Sequence, residues 1–113
     1  MNLEELNDRI KYAEIQALEL AEKIEDAKEQ TELIQLETAD NVASEQDLIT
    51  NKPLFSNPAK RRAEIKVRLG KNEIFTKTLK LLKNSKHSLE MMKINLSHQK
   101  RLFQARLIIE KVV

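Results

Sequence analysis

The segment LEELNDRIKYAEIQALELAEKIEDAKEQTELI, residues 3–34, decides the fold class. Within it Leu3, Leu6, Ile10, Ala13, Ala17, Leu20, Ile24, Ala27, Thr31 and Ile34 follow one another at steps of three and four. All but Thr31 are apolar, and a 3–4 alternation held this long marks one face of a helix that meets another helix. Ile15, Leu18, Leu33 and Leu36 widen the stripe beyond a narrow seam, as a globular bundle requires. Asn2 suits an N-cap, and Glu4 and Glu5 suit the positive end of the helix dipole. The pattern predicts a helix over residues 2–38, roughly 55 Å long at the helical rise.

Beyond Thr38 the periodicity fades, and residues 39–56 are expected to be a connector. Within it Ser44-Glu45-Gln46-Asp47 can cap a short turn, and Asn51-Lys52-Pro53 reads as another. Leu48, Ile49, Leu54 and Phe55 favour partial packing of this long link. Ser56-Asn57-Pro58 is a helix start, with Asn57 as cap and Pro58 at the first helical position. A second helix is expected over 58–69. Gly70 then fits a C-terminal cap and Asn72 an N-cap, so a break is favoured over one continuous helix through Gly70.

A third helix is expected over 72–111. Its main stripe is Phe75, Leu79, Leu82, Leu89, Met92, Leu96, Phe103 and Leu107, with Ser85 and Gln99 as polar groups at core positions. Leu81, Leu102 and Ile109 lie off that stripe, and Met91 is left open between core and surface. The first and third helices match in length and oppose in charge. The expected fold is therefore all-α: a single domain, 1–113, built as a long antiparallel helical hairpin with a short extra helix. The candidate core, and the candidate surface for self-association, is Leu6, Ile10, Leu20, Ile24, Leu82, Leu89, Met92, Leu96 and Phe103. Two helices make a thin core, so assembly into a bundle is expected, with a homodimer favoured. The alternative is that the second helix or the connector covers the spare surface.

Composition agrees with few, long elements. The 113 residues include one glycine, two prolines and no cysteine. Without thiols there is no disulfide and no thiolate metal site, which fits a reducing cytoplasm. No basic-then-apolar leader and no run of about 18 apolar residues is present, so neither a signal peptide nor a membrane span is expected. The overall charge of +2 conceals a strong asymmetry. Residues 1–51 hold four cations against fourteen acids, and residues 52–113 hold sixteen cations against four acids. Either the halves pair with each other, or one of them meets an external partner.

The residues offer little for catalysis. His87 and His98 project on nearly one helix face but lie about 16 Å apart along the axis, too far to share a metal. Neither has Glu three residues before it, as a bundle di-metal site would need. No phosphate-binding glycine loop, nucleophile elbow or His-Glu-x-x-His occurs. The glutamates of the first helix lie on a solvated face, and rod-like hairpins have few pockets. No enzyme activity, cofactor or metal is expected.

The basic segments are the best functional lead. Lys60, Arg61, Arg62, Lys66, Arg68 and Lys71 form the candidate nucleic-acid set, at and after a helix N-terminus that favours anions. Lys77, Lys80, Lys83 and Lys86 follow at intervals of three, then Lys93, Lys100, Arg101 and Arg106. For these third-helix residues, pairing with the acids of the first helix is preferred over nucleic acid, while for Lys60, Arg61, Arg62 and Arg68 pairing and nucleic acid both stay open. Tyr12, Phe55, Phe75 and Phe103 are too scattered to be a base-stacking platform.

The stretch Asn57-Pro58-Ala59-Lys60-Arg61-Arg62-Ala63, followed by Ile65-Lys66-Val67-Arg68-Leu69, carries a resemblance. Together with an acidic first helix and a polar connector, it resembles small helical proteins encoded in phage and prophage genomes, often near replication and recombination genes. That resemblance implies a phage accessory protein in a bacterial cytoplasm, acting beside DNA-processing machinery. The expected function is a non-enzymatic helical interaction protein that self-associates and binds a protein partner. Two alternatives stand beside it: a nucleic-acid-binding accessory protein using the basic half, and an inhibitor of a host nuclease using the acidic helix.

Overall fold

The structure, a computed structural model, describes residues 2–112, and these form an all-α chain of three helices. Helix α1 spans Leu3–Ser44, α2 Pro58–Lys71 and α3 Glu73–Val112. The chain divides into two compact units, one of residues up to Glu25 together with those from Lys83 onward, the other Asp26–Leu82. Early α1 thus pairs with late α3, and late α1 with early α3, which is the antiparallel order of a helical hairpin.

In the first unit the seam follows the 3–4 spacing. Leu6, Ile10 and Ile24 are buried, and Leu3, Ala13, Ala17 and Leu20 are half-buried. From α3 the unit contributes Ser85, Leu89, Leu96, Gln99, Phe103 and Leu107, all half-buried. Met92 holds a seam position yet stays 36% exposed, and its flexible thioether tolerates that edge. The Gln99 Oε1 is enclosed without a donor, a weak point in a mostly apolar contact. Asn2 caps α1 as expected, its Oδ1 accepting from the Glu5 N–H at 2.8 Å.

In the second unit α1 runs further than the sequence suggests. It ends at Ser44, six residues beyond the expected 38, and Val42 is the most enclosed side chain, with no exposed surface. The cause is a change of neighbours. Polar residues dominate 37–41, so the stripe fades on paper, while Thr38, Ala39 and Val42 still fall on the inner face. The Thr38 Oγ1 donates to Ile34 O at 2.8 Å, which keeps that polar group satisfied within the helix. Thr31 and Thr78 are buried in the same unit, and their hydroxyls donate to Lys28 O and Ile74 O, at 2.8 and 2.7 Å. Phe75 and Leu82 complete the buried set from α3. Leu79, expected in the stripe, is 42% exposed; Thr78 takes the inward place, because the step from Phe75 is three rather than four.

The link from α1 to α2 is an ordered loop. The Asp47 N–H donates to Lys52 O, the Leu54 N–H to Glu45 O, and the Asn51 N–H to Asp47 O, each at 2.9 Å. Asp47, rather than Ser44, is the capping residue, accepting at Oδ1 from the Ile49 and Thr50 N–H groups. Asn51 takes φ 56°, the left-handed region that asparagine tolerates. The loop's polar groups bond to one another, and Leu48 and Ile49 stand outward, 100% and 94% exposed. That overturns the expectation that these two residues pack.

Helix α2 begins as expected, with Asn57 Oδ1 accepting from the Ala59 N–H at 2.8 Å and Pro58 in the first turn. The break before α3 is real but lies at Asn72. Gly70 is helical and does not cap α2 in a left-handed conformation. Asn72, at φ −80° and ψ 109°, donates its N–H to Leu69 O and accepts from the Phe75 N–H at Oδ1, closing one helix and opening the next. Because Asn72 serves both helices, no glycine is needed at the junction.

Candidate interaction surfaces

Arg68 is tied into the second unit. Its Nε donates to Glu64 at 2.9 Å, one turn back on α2, and its two terminal nitrogens grip the Glu45 carboxylate at the end of α1. The guanidinium carbon also lies 5.8 Å from the centre of the Phe55 ring. These contacts hold the Glu45 carboxyl below the usual range, chiefly through the Arg68 hydrogen bonds, which outweigh the opposing effect of burial, with a lesser share from the Arg68 charge. They hold Arg68 still more firmly protonated than a free guanidinium, through the hydrogen bonds it donates to Glu45 and then to Glu64. Asp47 is also held low, by the Ile49 N–H and then the Thr50 N–H. All three shifts belong to groups that secure the loop.

The rest of the candidate nucleic-acid set is less committed. Arg61 is half-buried and donates to Ser56 O at 3.1 Å. Lys60, Arg62, Lys66 and Lys71 are exposed and form no ion pair among the described residues. Arg62 and Lys66 rim a shallow trough floored by Ile65, Leu69 and Phe75. A second open trough in this unit is lined by Leu36, Ala39, Ile65 and Leu69.

The expected pairing of α3 lysines with α1 acids is largely missing. In the first unit Lys100 meets Glu14 at 3.5 Å. Lys83, Lys86, Lys93, Arg101 and Arg106 form no ion pair among the described residues, nor do Glu4, Asp8, Glu19 and Glu22. The reason is positional. Lys86, Lys93 and Lys100 each follow a seam residue by four, placing them beside the seam. On α1 the six residues flanking the seam are Asn7, Glu14 and Ala21 on one side and Arg9, Gln16 and Lys23 on the other. Only Glu14 is acidic. The remaining acids point away from α3, so half-to-half charge totals misstate what meets across the contact.

Those outward faces also carry large apolar side chains. On α1 of the first unit Tyr12, Ile15 and Leu18 are 63%, 55% and 63% exposed. On α3 of the same unit Met91, Ile94, Leu102, Ile108 and Ile109 are exposed, answering the question left open for Met91. Ile94, Arg101 and Ile108 stand seven residues apart on one line of α3, with Met91 and Ala105 beside it. The sequence already places Leu102 and Ile109 off the α3 seam; Ile94 and Ile108 add to them a pair that periodicity does not single out, because His87 and Arg101 share their line. His87 and His98 lie on this exposed side too. Among the described residues no cluster of three potential metal-ligating side chains occurs, and no helix is long and apolar enough to cross a membrane. No protein-family profile, no curated protein and no solved structure matches the chain.

Proposed function

We propose that this chain is a non-enzymatic helical interaction protein that self-associates and presents its remaining surface to a protein partner. The observation that carries this reading is the exposure of large apolar side chains, Tyr12 among them, on α1 and α3 in the first unit. At about 100 Å² each, the three on α1 and the five on α3 form two separate sets of roughly 300–500 Å², each reaching the size of one side of a standard interface only together with the charged residues around it. Scattered exposed leucines need no explanation, but several large apolar side chains on one outward side of a helix that already has a buried seam do. Sedimentation equilibrium from about 1 to 200 μM tests the reading. A mass that rises with concentration is expected. A monomer throughout that range refutes it.

A second reading rests on the exposed, unpaired cations of α2. Lys60, Arg62, Lys66 and Lys71, beside a helix N-terminus, suit a phosphate backbone, and the resemblance to proteins encoded near replication genes points the same way. Binding would be independent of sequence and would weaken steeply with salt. Titration of a duplex and a single strand at about 50 mM salt, where phosphate contacts are strongest, tests it. Binding lost on alanine substitution of these four residues supports it, and no binding at that salt removes it.

A further inference from the structure

We infer that the surface covering the acidic outer face of α1 is the basic outer face of α3 from a second copy of this chain. The inference rests on the self-association proposed above and specifies its mode. In the first unit Asp8, Ile15 and Glu22 stand seven residues apart on α1, a line of acid, aliphatic and acid. Ile94, Arg101 and Ile108 stand seven apart on α3, a line of aliphatic, base and aliphatic. Both lines repeat at the same interval of about 10.5 Å. Laid together, Arg101 falls opposite an acid while an isoleucine falls opposite Ile15. Asp8, Glu22 and Arg101 form no ion pair within the chain, and all three are exposed. Each side therefore lacks the partner that the other supplies.

Each line lies on the side of its helix opposite the buried seam. The two lines of one chain consequently face away from each other and cannot meet. A contact of α1 on the α3 of a second copy is heterologous: it leaves one acidic and one basic face free at the ends. Assembly by this contact proceeds head to tail, to a ring or an open series, and does not stop at a two-fold dimer. Acidic residues on both sides would forbid α1 from meeting α1, and Arg101 disfavours α3 meeting α3.

The chain lacks cysteine, so introduced thiols report a contact without background. Single variants Leu18→Cys and Ile94→Cys, mixed at equal concentration under mild oxidation, should give the mixed disulfide several-fold more often than either like pair. In parallel, Asp8→Lys/Glu22→Lys and Arg101→Glu should each weaken association by about tenfold, and mixing the two variant chains should restore it. Far-UV circular dichroism should be unchanged, since the three positions are exposed. If wild-type chains associate but like-pair disulfides dominate, or the charge variants associate as wild type, the head-to-tail mode is wrong while self-association stands. If wild-type chains remain monomeric at every concentration, the reading beneath it fails as well. Monomeric chain bound through Ile94 and Ile108 to vesicles of phosphatidylcholine and phosphatidylserine would instead give the α3 face to a bilayer and overturn the inference.

Discussion

Replacing Val42 with alanine probes the point where structure and sequence differ most. Val42 has no exposed surface, in a segment where sequence periodicity predicts a connector. The substitution deletes two methyl groups, worth about 0.8 kcal/mol each by burial alone. Incomplete collapse of the space they leave adds on the order of 1 kcal/mol. Alanine is the better helix former, which returns about 0.5 kcal/mol. The net loss should be about 2 kcal/mol, or roughly 8 °C in Tm for a chain of this size. Urea unfolding followed at 222 nm, at one fixed protein concentration because association shifts apparent stability, measures it. Leu48→Ala is the internal control: it removes more apolar atoms, but from a fully exposed side chain, and should change stability by less than about 0.5 kcal/mol. Equal effects at the two positions, or a larger one at Leu48, would refute the extension of α1 and the outward-facing loop together.

Gly70→Ala should stabilise the chain by about 0.5–1 kcal/mol, because Gly70 is helical and open space surrounds the added methyl; thermal melts would reveal a loss instead if the glycine were needed for the α2–α3 junction. Gln99→Leu should raise stability by about 1 kcal/mol by removing an enclosed amide oxygen that has no donor, a gain readable by urea unfolding and absent if another group satisfies that oxygen. Acid should loosen the loop between α1 and α2. The folded-state pKa values of Glu45 and Asp47 are depressed, so their contribution is present above the ordinary carboxylate pKa and is lost as pH falls through the folded values. Hydrogen exchange at the Ile49 and Thr50 amides should report reduced protection there, and Glu45→Gln should diminish the Glu45 share of that pH dependence.

The seam of α1 was legible because an apolar 3–4 repeat has a single structural solution, and all ten of its positions from Leu3 to Ile34 are at least half-buried. The caps at Asn2 and Asn57 were legible for a similar reason, since a local side chain meets a local N–H. What failed depended on distant neighbours. Val42 is enclosed by packing within its unit, which no window around residue 42 reveals. For Arg68 the sequence leaves pairing and nucleic acid both open, and only the placement of Glu45, 23 residues away, decides for pairing. The charge asymmetry misled because it counted acids without asking which side of α1 they occupy. That α3 carries apolar residues off its seam was legible at Leu102 and Ile109, whereas Ile94 and Ile108 stand out only by their exposure, since Arg101 lies between them.

Thr31 and Thr78, buried in the second unit, have both hydroxyls answered by carbonyls of their own helices. Neither hydroxyl has to find anything on the opposing helix. Sliding the helices past each other by seven residues would leave these two groups equally satisfied, so they do little to fix alignment. Alignment is instead dictated where the chain turns back, by the Asn72 hinge and the Arg68 clasp. A protein of this kind can be lengthened or shortened by whole heptads, provided both arms change together and the turn is left alone.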